Sequence, residues 1–148
     1  MLRNIPPPIW VILILAGLYY ASDVFALDLG EWRHQRAGAI IVLLGLALPI
    51  VGTIHFIAAG TQVVPTSATN NKLVVNGLYR FTRNPMYLGL VIASLGAAIL
   101  LGRPLLYLTP FLVFAMANWG FIPYEEAKMR RQFGDEFDAY CKRVRRWI

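Results

Sequence analysis

The sequence predicts an all-α fold, an integral membrane bundle of about four transmembrane helices with a cytoplasmic amphipathic C-terminal helix. Three observations carry that expectation. Of 148 residues, 57% are hydrophobic and only 15% charged, and the mean hydropathy is +0.54, more apolar than a soluble domain of this size. The apolar residues fall into four runs close to membrane length, separated by polar or Pro/Gly-rich breaks. The net charge of +6 sits mostly in one loop and at the C-terminus, a distribution that suits membrane orientation. With no recognisable DNA or RNA module, the chain is read as having no nucleic-acid partner.

The first span is expected over residues 9–27, with Pro6, Pro7 and Pro8 preventing an earlier helix start. Only Arg3 precedes it, and no A-x-A site lies between Ser22 and Leu29, so it reads as a retained span rather than a signal peptide. A mixed-charge interfacial loop, 28–36, contains Trp32 and leads to a second span at 37–59, where Pro49 predicts a kink. Residues 60–84 include Pro65, Thr66, Ser67, Thr69, Asn70, Asn71 and Asn76-Gly77. Backbone of that kind cannot be satisfied in lipid, so the stretch is a loop at a membrane face. A hairpin follows, with spans at 85–101 and 105–123 joined by the turn Gly102-Arg103-Pro104. Beyond it, the tail 124–148 is charged and helical, with Met129, Phe133, Phe137, Tyr140 and Val144 on one side and a break at Gly134. There is no internal repeat, and residues 1–148 read as one domain.

Four crossings place both termini and the 60–84 loop on one side. That side holds 11 of the 14 Lys and Arg residues, leaving Arg33, Arg36 and Arg103 opposite, so the positive-inside rule makes it cytoplasmic. Small residues recur every seven positions in the second span (Gly38, Gly45, Gly52, Ala59) and every four in the third (Gly89, Ala93, Ala97). Such stripes let helix backbones approach closely. The single Cys141 excludes an intrachain disulfide, and His34 and His55 have no second ligand at useful spacing, so no metal is expected.

Two stretches could carry chemistry. In Gly77-Leu78-Tyr79-Arg80-Phe81-Thr82-Arg83-Asn84-Pro85-Met86-Tyr87-Leu88-Gly89, Asn84 is a good N-cap and Pro85 suits the first helical position. A helix starting there points free N–H groups at the membrane face, beside the positive Arg80 and Arg83 and the aromatic Tyr79 and Tyr87. The same residues also suit an ordinary helix start with snorkelling arginines. The second stretch is Glu125-Glu126, just past Pro123, after a helix that also holds Asn118. Carboxylates at such a boundary are costly unless paired, and Arg83 is the obvious partner for Glu126. The tail is either a membrane anchor or a lid that shuts this region from water.

The first stretch, with Glu125-Glu126 and Phe133-Gly134 through Tyr140 to Arg143-Val144-Arg145-Arg146-Trp147-Ile148, resembles the isoprenylcysteine carboxyl methyltransferase family and its phospholipid methyltransferase relatives. The likeness covers roughly the second half of the chain. It implies a helical membrane core, S-adenosylmethionine as cofactor, and lateral access for a lipid acceptor. It also implies cofactor contacts from Tyr79, Arg83, Asn84, Tyr87, Gly89, Glu125 and Glu126. Arg83 and Glu126 are read as the catalytic residues, with Arg83 able to position an acceptor carboxylate. Two positions depart from the pattern: Asn84 where histidine is common, and Arg145 where proline is common.

The resulting expectation is a membrane methyltransferase whose acceptor is a lipophilic or prenylated molecule, with membrane lipids as its surroundings. A carboxyl acceptor is already ionised at neutral pH and needs no base. A phosphatidylethanolamine amine must first lose a proton, and Glu126 would then act as the base. Phospholipid N-methylation is therefore the alternative within enzymes, and a non-catalytic four-helix interaction module the alternative outside them.

Overall fold

The computed structural model describes residues 5–25, 33–60 and 72–148, and all regular structure among them is helical. Expectations resting on Arg3, on Trp32 and on residues 65–71 lie outside the described residues. Helices α1 (Pro7–Val24) and α2 (Gln35–Ala58), and the helix that begins at Pro104, are each long and apolar enough to cross a membrane. Their mean hydropathies are 1.4, 2.5 and 1.6. The 17-residue α3 (Pro85–Leu101) is shorter and equally apolar, at the lower limit for a span. This is the helical core of a multi-pass membrane protein.

The prolines ahead of α1 do not delay the helix. Pro7 and Pro8 form its first turn, where the missing N–H would have had no partner. Helix α2 runs on through Pro49. Helix α3 has the expected limits and stops at Gly102, whose φ of 73° is a left-handed cap that a side chain would resist.

The fourth span departs most from expectation. Instead of one helix ending at Pro123, the chain makes a 3₁₀ turn (Pro104–Leu108), α4 (Thr109–Ala115), a π-helical segment (Met116–Phe121) and α5 (Ile122–Phe133). Pro123 is the physical cause. In an α-helix it would leave the carbonyl four residues back unpaired and its ring would clash there. The wider π turn, with the Ile122 N–H donating to the Ala117 carbonyl, shifts the hydrogen bonds by one residue and makes room for the proline ring. The helix therefore passes Pro123 and carries Glu125 and Glu126 beyond the apolar stretch. After Gly134, α6 (Asp135–Arg143) turns back over the bundle end.

Packing is tightest between α2 and α3. The buried positions of α2 are Gly38, Gly45 and Gly52, while Ile40, Leu43, Leu44, Ile54 and Ile57 face outward, as lipid-facing residues do. A Cβ on Gly45 would lie 2.4 Å from the Ala93 nitrogen, one on Gly38 2.5 Å from the Leu100 nitrogen, and one on Gly96 2.5 Å from the Val42 nitrogen. The seam on α3 thus includes Gly89, Ala93, Gly96 and Leu100. Alternating steps of four and three residues stay on one helix face, whereas a strict repeat of four drifts off it. A second cluster joins Val11 of α1 with Tyr87 and Leu90 of α3 and Val113, Ala117, Phe121 and Ile122 of the fourth span.

The two ends of the bundle differ in chemistry. At one, Arg103 pairs with Asp23 and lies 3.9 Å over the Tyr19 ring, and the His34 N–H donates to the Ile99 carbonyl at 3.1 Å. At the other, the end of α2, the start of α3 and the emerging α5 converge with the C-terminal segment.

Candidate functional site

The loop that enters α3 is fastened before any charge is considered. Residues Gly77–Arg80 form a 3₁₀ turn packed on the end of α2. The His55 ring fills the space a side chain on Gly77 would take, with Nε2 1.7 Å from the ideal Cβ position, and Gly77 has φ of 61°. His55 is itself fixed, its Nδ1–H donating to the Val51 carbonyl at 2.7 Å. Tyr79 is buried with its ring edge-on to Phe56, and its carbonyl accepts from the Tyr140 hydroxyl of α6 at 2.7 Å. Burial pushes both phenols above their ordinary range, so each remains a hydrogen-bond donor.

Asn84 and Pro85 start α3, yet Asn84 does not cap it with its side chain. That amide donates instead to the Arg146 carbonyl at 3.0 Å, and the Thr82 hydroxyl donates to the same carbonyl at 3.0 Å. The Arg83 N–H donates to the Arg145 carbonyl at 2.9 Å. The start of α3 is thus laced to the C-terminal segment, and the Asn84 side chain is used there instead of at its own helix's free N–H groups.

Arg83 and Glu126 form the expected pair. The Arg83 guanidinium donates to Glu126 Oε1 from Nη2 at 2.8 Å and from Nε at 3.3 Å. Its Nη1 donates to the Val144 and Cys141 carbonyls at 2.7 and 3.2 Å. Glu126 has a second cation that the sequence did not single out: Arg146 donates from Nη2 to Oε2 at 2.5 Å and from Nε to Oε1 at 3.1 Å. Both carboxylate oxygens are thereby engaged, and the Arg83 and Glu126 side chains are only 14% and 13% exposed. Adjacent Glu125 points elsewhere: its Oε1 accepts from the Tyr87 hydroxyl at 2.6 Å.

Asn118, in the π-helical segment, completes the site. Its Oδ1 accepts from Arg146 Nη1 at 3.3 Å and from Trp147 Nε1 at 3.1 Å, and the Trp147 ring lies 4.7 Å from Phe114. Of the site residues expected from sequence, Tyr79, Arg83, Asn84, Tyr87, Glu125 and Glu126 gather at this end. Gly89 does not: it faces α2, where a Cβ would be 2.4 Å from the Gly45 carbonyl oxygen. The residues missed were Thr82, Arg146 and Trp147. Asn118 had a legible signal, a polar side chain in an apolar span, but its partner was indistinguishable among the tail's basic residues.

This donor set suits S-adenosylmethionine. A carboxylate held by a tyrosine can accept from an ammonium or from sugar hydroxyls, and the two guanidinium groups nearby are already paired with Glu126. Among the described residues no group of three His, Cys, Asp or Glu could hold a metal ion.

Residues 34–136 match the phospholipid methyltransferase family. The chain is 30% identical over 142 residues to protein-S-isoprenylcysteine O-methyltransferase A of Arabidopsis thaliana, covering 89% of this chain and 68% of that protein. Form B of the same plant is 30% identical over 132 residues, covering 85% and 65%. Protein-S-isoprenylcysteine O-methyltransferase of Schizosaccharomyces pombe is 37% identical over 141 residues, covering 93% and 52%. The chain therefore spans about half to two thirds of the length of these relatives. No solved structure matches. With the family match covering most of the helical core and both polar motifs, the chain belongs to the phospholipid methyltransferase family, among relatives named protein-S-isoprenylcysteine O-methyltransferases.

Proposed function

We propose that this protein is an S-adenosylmethionine-dependent membrane methyltransferase that methylates the carboxyl of an isoprenylcysteine-like molecule. The observation that carries the reading is the meeting, at one end of the bundle, of the Tyr87–Glu125 and Arg83–Glu126 pairs. The names of the relatives point to the same acceptor.

In this reading Glu125, oriented by Tyr87, holds the ammonium or the sugar hydroxyls of the cofactor, and Tyr79 and Asn84 help shape its surroundings. When bound, S-adenosylmethionine supplies a methyl group on a positively charged sulfur. Arg83 and Glu126 act by holding the start of α3, α5 and the C-terminal segment in one arrangement, which supplies the alignment that methyl transfer needs. A carboxylate accepting from two guanidinium groups is a poor proton acceptor, so Glu126 is badly suited to deprotonating an amine. An acceptor carboxylate needs no such step. Phosphatidylethanolamine N-methylation stays as the second reading because the family description names phospholipid. Both readings put the site, the N-terminus and the C-terminus on the cytoplasmic side.

Purified protein in detergent should bind S-adenosylmethionine in calorimetry and transfer labelled methyl to a prenylated cysteine in preference to phosphatidylethanolamine vesicles. Preference for the vesicles would select the second reading. Absence of any cofactor binding would leave a non-catalytic membrane module.

A further inference from the structure

Arg146 ties the C-terminal segment to three other parts of the site and is not among the residues that the resemblance assigns to the cofactor. The residue joins three parts of the fold: its guanidinium meets both oxygens of Glu126 on α5 and Oδ1 of Asn118 in the π-helical segment, while its carbonyl accepts from Thr82 and Asn84 at the start of α3. Trp147 shares the Asn118 oxygen and stacks on Phe114. The π segment that presents Asn118 to this arginine is the same one that Pro123 requires.

We propose that Arg146, anchored by Asn118, is a positioning residue for cofactor binding that acts through Glu126. Without Arg146, Glu126 would follow Arg83 alone, and the turn of α5 that directs Glu125 toward Tyr87 would lose one of its two anchors. The planar fork matters as well as the charge, since Nε and Nη2 meet the carboxylate while Nη1 meets the amide oxygen, a spread of donors that a single ammonium nitrogen lacks. The proposal rests on the cofactor reading above, and the experiment separates the two.

Arg146→Lys should lower affinity for S-adenosylmethionine by about tenfold, the scale of one lost charge-assisted hydrogen bond. It should raise KM for the cofactor by a larger factor than it lowers kcat at saturation, and thermal unfolding in detergent should shift little. Because the effect runs through Glu126, Arg146→Lys should cost little further affinity in a Glu126→Gln background. Asn118→Ala, which leaves every charge in place, should weaken cofactor binding in the same direction, and it serves as the variant if Arg146→Lys does not fold. Wild-type affinity in Arg146→Lys, or losses that simply add in the double variant, would overturn the proposal while leaving the cofactor reading intact. Failure of the unmodified protein to bind S-adenosylmethionine would instead remove the cofactor reading, and this proposal with it.

Discussion

Glu126 is the residue on which two cations converge, and its removal is asymmetric in its consequences. Glu126→Gln keeps the shape but leaves Arg83 and Arg146 facing each other without a counter-charge in a mostly buried setting. Breaking a buried pair from one side typically costs about 3 kcal/mol, so thermal stability in detergent should fall together with cofactor affinity. Arg83→Lys keeps the charge, but one ammonium must replace a guanidinium that meets Glu126 and two backbone carbonyls, Val144 and Cys141. Turnover should drop more than for a charge-neutral exchange at an exposed arginine such as Arg131. Equal stability and turnover for both variants and the unmodified protein would mean that the triad holds nothing together. The pairing was legible in the sequence from the cost of charge at a membrane boundary; its third member was not.

At the scale of elements, the α2–α3 seam grades its glycines. At Gly45 and Gly38 a Cβ would meet backbone of α3 within 2.4 to 2.5 Å, which cannot yield without moving a helix. At Gly52 the nearest atom is Met86 Cγ at 3.0 Å, the flexible part of a side chain. Gly45→Ala should therefore destabilise by about 2 kcal/mol, in the range of overpacked cores, and Gly52→Ala far less. Gly45→Leu should abolish folding in detergent. Unfolding temperatures of the two alanine variants check this, and equal values would show that the helices separate freely. The seven-residue repeat in α2 could be read from sequence, but its partners on α3 could not, because small residues outnumber the positions a helix face can use.

For the whole molecule, Arg83, Glu126 and Cys141 lie at one end of the bundle and Arg103, Asp23 and His34 at the other. We expect the first end to be cytoplasmic. Maleimide labelling of Cys141, and of a cysteine introduced near Asn71 in a variant lacking Cys141, should report the same side in oriented vesicles; opposite sides would end the four-span arrangement. Burial pushes the Cys141 thiol above its ordinary range. Because the thiolate is the reactive form, labelling should speed up as pH rises from 7 through 9 and slow as it falls.

What the sequence determined by itself was the class of the molecule: membrane helices, their number, their order and the end at which the polar motifs meet. Those follow from the free energy of placing each residue type in lipid, which is local and additive along the chain. The tertiary structure decided the rest. That Pro123 widens a helix instead of ending it, that Asn84 serves the C-terminal segment rather than its own helix, and that Arg146 rather than another tail arginine reaches Glu126 are matters of direction and distance. They depend on how α5 and α6 fold back on α3, and no residue's own preference records that.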